Sequence, residues 1–466
     1  MPASDQAIAW LDLPAGAPRA AGLAAGKAAR TRLPRSAHGK WSPDPERPNR
    51  LDILRSGDAH RVPELLPIRY GRMLESPFAF FRGAAAIMAY DLSKIPVTGI
   101  RTQICGDCHL LNFGAFATPE RNLVFDVNDF DETLPGAWEW DVKRLAASVV
   151  VAARHLNLRV KERRDAVLRC VGAYRNQISL YADSRVLDIW YARFDAQQLG
   201  ALVRSAQARR QYTDPSAPRP ATSGHAFPHF TQTVDGRRHI VDEPPLIFHP
   251  QDDAFGATVI DMVAQYRASM SDDRKALLDR FHLVDAAFHV VGVGSVGTRC
   301  LVALFVAEDD DPLVLQAKQA LPSVFEPYAG ASAYKCQGER VVVGQHLMQA
   351  ASDLFLGWAE AEDGNDFYVR QLRDMKTSAS VDRMTGEDLA QYAQFCGRTL
   401  ARGHAKAGGV AGAISAYLGR GEAFDLALAA FATEYAEQNE RDYACLVEAV
   451  KAGTIEAQTP STPGRG

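Results

Sequence analysis

Hydrophobic and polar positions divide the chain into stretches of different character. Over residues 1–45, Ala, Gly, Pro and Arg follow one another with no sustained period, which predicts a disordered N-terminal arm. From 46 to 210 the pattern is mainly helical. Phe78 to Leu92 has the composition of a buried helix, and beyond Trp138 apolar residues recur at helical spacing, including Leu145, Val149, Ala152 and Ala153. Inside this region Thr102 to Phe130 stands apart. Short apolar pieces broken by Gly106, Asn112, Gly114 and Pro119 predict a strand, a loop and further strands.

Residues 211–284 read as a linker and connecting segment, with prolines crowded before Pro250 and a turn signal at Asp235-Gly236. A β-rich region is expected over 285–375. Val290-Val291, Leu301 to Val306 and Leu313 to Leu315 are separated by Gly and acidic turns, and strands are expected to continue through Arg340 to Met348 and Phe367 to Leu372. Helical spacing returns over 376–451, in Gly386 to Ala407 and Glu422 to Val450. Residues 452–466 read as a disordered polar tail. No internal repeat is present.

Composition narrows the function classes. The 466 residues are 47% hydrophobic and 23% charged, so two or three globular units can bury a core. Lys plus Arg number 52 against 56 Asp plus Glu. A net charge of -4 supplies no field for gripping a polyanion, so no nucleic-acid partner is expected. Leu145 to Ala153, the longest apolar run, is too short for a membrane span. With no apolar leader in view, the chain reads as cytoplasmic and its seven cysteines as reduced thiols.

The richest chemistry lies at 105–132. Cys105-Gly-Asp-Cys-His-Leu-Leu-Asn112 precedes the apolar piece Leu123-Val-Phe125, and Asp126-Val-Asn-Asp129-Phe-Asp131-Glu132 follows it. Asp107, Asn112 and Asp129, gathered on Gly-punctuated segments, suit a hard cation such as Mg²⁺. The plain alternative is a polar turn whose side chains cap their own backbone. Cys105-x-x-Cys108-His109 also satisfies the pattern for c-type haem attachment, and its Cys pair that of a thioredoxin-like motif. Haem attachment calls for export and the redox pair for a helix N-terminus. Neither context is found, and packed apolar thiols remain the simpler reading.

A second motif, Gly292-Val-Gly294-Ser295-Val-Gly297, fits a dinucleotide site or a phosphate-covering loop. A dinucleotide site needs a helix at the third Gly. Cys300 to Val306 is β-branched instead, and after an acidic turn another short strand delivers Lys318. Glycine turn and lysine together would let backbone amides and a cation meet phosphates; a hairpin with a flexible turn and a surface Lys is the alternative.

The string Gly106-Asp107-x-His109-x-x-Asn112 resembles the catalytic loop of the aminoglycoside phosphotransferase branch of the protein-kinase-like superfamily. Asp129-Phe130-Asp131 resembles that branch's metal-binding motif, and Trp140-Asp141-Val-Lys-Arg-Leu145 the helix start that follows it. Cys105 departs from the pattern, standing where that branch usually has His. Ser76 to Arg154 also resembles a bacterial conserved family of unknown function. These resemblances imply an α+β, two-lobed kinase-like fold that uses ATP and Mg²⁺ to phosphorylate a hydroxyl acceptor of unknown identity. Because the catalytic loop precedes the glycine loop, the lobe order would be circularly permuted. Asp107 would accept the hydroxyl proton; Asn112, Asp129 and Asp131 would hold metal. Gly292, Gly294, Ser295, Gly297 and Lys318 would hold phosphates, with Glu326 as the partner of Lys318. A metal-dependent phosphoesterase and a nucleotide-binding pseudoenzyme acting through a partner are the alternative functions.

Overall fold

The structure is a computed structural model that describes residues 8–11, 13–14, 16–195, 231–234, 237–251, 255–290, 296–372 and 377–458. It is a mixed α+β architecture. The helical part is organised around Trp138–His155, in which every residue from Trp138 to Ala153 is buried. The buried charged residues of this helix, Glu139, Asp141, Lys143 and Arg144, lie in its N-terminal half, and the apolar spacing noted from Leu145 onward lies in its other half. Val160–Asp183, Gly386–Gly408 and Ala423–Lys451 pack around it. Two of these helices approach closely at Gly397, where an added Cβ would lie 2.2 Å from Cys170 O. Only Gly allows the Val160–Asp183 and Gly386–Gly408 backbones to come this near.

The described residues within 1–45 do not form the expected arm. Arg19–Arg32 is a helix packed on Ala411–Leu418, with Gly26 and Ala29 buried. Trp10 meets Trp140 edge-on at 6.4 Å, and buried His38 places Nε2 2.7 Å from the Tyr417 hydroxyl. The Ala and Gly content that reads as disorder is a packing face: small side chains let Gly26 sit against Ala413. At the other end, Ile455 is buried and Gln458 N donates to Pro67 O at 2.9 Å, so the described residues after 451 are docked as well.

Phe78 to Leu92 forms two helices, Pro77–Gly83 and Ala85–Ser93, broken at Ala84. The strand and loop expectation for 102–130 is met. Arg101–Ile104 pairs antiparallel with Leu134–Ala137, and Phe113–Ala117 pairs with Leu123–Val127 and with Thr377–Ser378.

The β-rich region is a six-stranded antiparallel sheet. Its spatial order is Gly357–Glu360, Asp366–Gln371, Pro312–Ala320, Cys300–Val306, His282–His289 and Ile247–Phe248. Phe305, Leu313, Leu315 and Val369 pack with Tyr266 of the Phe255–Ala268 helix. Residues 255–284 of the expected linker and connecting segment therefore pack with this sheet, and 211–230 of it lie outside the described residues. Strand alternation sends Lys318 to the opposite face from Leu315 and Ala317.

One expected strand is a helix. Gln337–Met348 buries Val341, Val342 and Met348, while buried Arg340 donates to the carbonyls of Thr133, Asp131 and Leu321. Tertiary contacts on two faces outweigh the β preference of the Val341-Val-Val run.

Candidate functional site

The loop after Arg101–Ile104 turns at Gly106, whose φ is +84° and whose Cβ, if present, would lie 2.3 Å from Glu132 O. The turn therefore requires Gly. Its amides are held from the first turn of Trp138–His155. Cys105 N donates to Asp141 Oδ2 at 2.8 Å and Gly106 N to Asp141 Oδ1 at 2.9 Å. Asp141 is fully buried, with His404 Nε2 3.1 Å from Oδ2 and the Tyr174 hydroxyl 2.8 Å from His404 Nδ1.

One turn further along the same helix, Arg144 Nε donates to Asp107 Oδ1 at 2.5 Å and Nη2 donates to Phe81 O at 3.0 Å. Asp107 Oδ2 lies 3.7 Å from His109 Nε2. Burial raises the Asp107 carboxyl above its ordinary range, with the Arg144 guanidinium opposing it. Burial, together with Arg144 and Arg82, pushes His109 well below the ordinary imidazole value, so this ring is neutral at pH 7.

Asn112 ties the loop to the hairpin. Its Nδ2 donates to Asp107 O at 2.5 Å, and its backbone carbonyl accepts from Asn128 N at 2.8 Å. Asp129 Oδ1 accepts from Asp131 N at 3.2 Å. Asp131 accepts from Lys318 Nζ at 2.8 Å and from the Tyr368 hydroxyl at 2.6 Å. Burial opposes charge on both members of the pair. Lys318 still holds Asp131 below the ordinary carboxylate range, and Asp131 raises Lys318 well above the ordinary amine value.

Asp107, Asn112, Asp129 and Asp131 line one cleft with Thr298 and Gln319. It encloses about 1060 Å³ of empty space, its opening to solvent included. Of the glycine turn, Gly292, Gly294 and Ser295 lie outside the described residues. Gly297 has φ +90° and accepts from Val62 N at 2.7 Å. Asn112 through its amide oxygen and Asp129 through its carboxylate are the residues that could hold a divalent cation. Asp131 differs, because each of its oxygens already takes a protein donor.

Glu326 is not the partner of Lys318. Its Oε1 accepts from Ser323 N at 3.3 Å, within the four-residue helix Glu326–Ala329. The cleft supplies Asp131 to Lys318 from the hairpin instead. Nothing in the sequence alone assigns a role to Asp141, Arg144, Tyr368 or His404. Asp141 and Arg144 stood within a recognised string, three residues apart on a helix, and that spacing puts both on the loop's side.

Among the described residues, Cys105, Cys108 and Asp141 form the one compact buried group with metal-ligating side chains. Asp141 already accepts two amides, and burial pushes the Cys105 thiol well up and the Cys108 thiol to about 11. Protonated thiols and an occupied carboxylate make this a structural knot beneath the loop, and the haem and thioredoxin readings find no support in it.

Among the described residues no helix is long and apolar enough to cross a membrane. No curated protein and no solved structure matches the chain. A family model matches residues 61–449, a span that includes Arg61, Asp107, Asn112, Asp129 and Asp131 of the cleft. The chain thus belongs to DUF2252, a family described as uncharacterized proteins conserved in bacteria.

Proposed function

We propose that this protein is an ATP- and Mg²⁺-dependent phosphotransferase of protein-kinase-like design, with its catalytic loop ahead of its phosphate-binding sheet. One observation carries the reading. Asp107, Asn112 and Asp129 share a cleft with Thr298 just behind the glycine turn, although the two segments are far apart in sequence. The connectivity supports it further: a strand, the stretch of sequence that carries the glycines, a strand, then a strand bearing Lys318, followed by the Gln337–Met348 helix and two more strands. That order is similar to a kinase small lobe, with Asp131 in place of a helix Glu as the lysine's partner.

Bound Mg²⁺ would neutralise phosphate charge, held by Asn112 and Asp129. Lys318, steadied by Asp131 and Tyr368, places a cation at the phosphates. Arg144 fixes Oδ1 of Asp107 and leaves Oδ2 to take a hydroxyl proton. Asp141 holds the loop that carries Asp107, so catalysis is mainly positioning and charge stabilisation.

The test is incubation with Mg²⁺ and ATP labelled at the α or the γ phosphate. Label should leave the γ position only. Asp129→Asn should lower nucleotide affinity and turnover together. Asp107→Asn should leave nucleotide binding nearly unchanged and cut turnover about 10²- to 10⁴-fold. Full turnover by Asp107→Asn would sink the mechanism.

A further inference from the structure

Three arginines, Arg61, Arg69 and Arg82, line the same cleft as Asp107, and each has a buried Nε with no hydrogen-bond partner. Arg69 is 3% exposed and is committed to structure, donating to Asp58 Oδ1 at 3.1 Å and Gly83 O at 3.3 Å. Arg61 Nη1 donates to Val296 O at 2.5 Å. Ion pairs at the cleft join Arg69 to Asp58, Arg144 to Asp107 and Lys318 to Asp131. Among the described residues, Arg61 and Arg82 make no direct ion pair, although Asp58 and Glu132 act on Arg61, and Asp107 on Arg82, at longer range.

Arg82 sits at the end of the Pro77–Gly83 helix on the Asp107 and His109 side; its charge acts on both groups. Lys318 lies at Asp131 instead. Holding guanidinium groups partly out of water with carboxylates only at longer range, and none in direct contact, is costly. Burial lowers Arg82 from its ordinary value, and burial together with Arg69 lowers Arg61 to about 10. An oxyanion entering the cleft would relieve that cost, and the guanidinium fork matches phosphate and carboxylate geometry.

We infer that the acceptor is an alcohol bearing an oxyanion, a phosphate or a carboxylate, which Arg82 and Arg61 seat so that its hydroxyl meets Asp107 Oδ2. This rests on the phosphotransferase reading. In the step, the acceptor oxygen bonds to the γ phosphorus and the bond from that phosphorus to the β,γ-bridging oxygen breaks. ADP leaves with that electron pair, and the hydroxyl proton passes to Asp107. Arg61 and Arg82 themselves disfavour a polycationic group seated against them, although the catalytic loop resembles the aminoglycoside branch.

The full chain, saturated with Mg²⁺ and a non-hydrolysable ATP analogue so that the γ-phosphate position is filled, is titrated calorimetrically with inorganic phosphate and separately with acetate. At least one anion should bind, and which one binds separates phosphate-bearing from carboxylate-bearing acceptors. Arg82→Gln should weaken that binding about tenfold or more and change analogue affinity less than about twofold. Arg82→Lys, which keeps the charge but not the fork, should fall between; it also serves should the Gln variant fold poorly. Absence of anion binding, or binding indifferent to Arg82, overturns the inference. If anions bind through Arg82 while the analogue does not bind at all, the oxyanion subsite stands and the phosphotransferase reading falls.

Discussion

Removing the Asp141 carboxylate should both destabilise the fold and loosen the loop that carries Asp107. Its two oxygens accept from Cys105 N, Gly106 N and His404 Nε2 in a site with no solvent exposure. Asp141→Ala leaves all three buried groups unmatched. A buried polar group without a partner costs about 1–3 kcal/mol, so the loss should be about 3–9 kcal/mol, toward the lower end if water enters. Asp141→Asn keeps one acceptor oxygen but turns an N–H donor toward one of the loop amides. It should cost about 1–3 kcal/mol. Urea unfolding at pH 7 measures the difference as a shift in midpoint at unchanged slope. Hydrogen exchange of the 105–106 amides reads the local part, and protection there should fall in the Asn variant well below the loss of global stability. A cost under about 1 kcal/mol for Asp141→Ala, or unchanged protection of these amides, would refute the assignment.

Gly106→Ala should cost several kcal/mol and abolish turnover, because the added Cβ meets the Glu132 carbonyl and the backbone has positive φ; near-native urea stability would contradict this. Lys318→Met leaves Asp131 with Tyr368 alone. Because the Asp131 side chain keeps 29% exposure, the cost should be about 1–3 kcal/mol, below that of breaking a fully buried pair, and the Mg-ATP-dependent rise in melting temperature should disappear. Burial raises Glu132 from 4.5 to about 7, so the fold favours its neutral acid. Its stabilising share is complete below about pH 4.5, declines as pH rises and is gone above about pH 7. Glu132→Gln should remove up to about 3 kcal/mol of that decline, seen as a flatter stability curve between pH 5 and 8.

Local chemistry was enough to read the fold of the segment around Asp107 and Asp129. The Gly106 turn, the short strands around it and the hairpin before Asp129 follow from residue types within a few positions, where backbone sterics and strand alternation act directly. The same holds for the strands that deliver Lys318 and for the long helices from Gly386 onward. Elsewhere local preference was overruled. Val341-Val-Val reads as strand, yet Arg340 anchors it as a helix through three carbonyls of distant segments. The Ala- and Gly-rich start reads as an arm because a small-residue packing face carries little hydrophobic signal of its own. Partner choice lay further out of reach. Lys318 takes Asp131 and not Glu326, and Asp141 takes the amides of Cys105 and Gly106, because the folded chain sets distances that sequence separation does not encode. The sequence by itself determined which groups could do chemistry. Tertiary structure decided which of them meet, since burial makes each buried charge or amide find whatever partner the packing brings within reach.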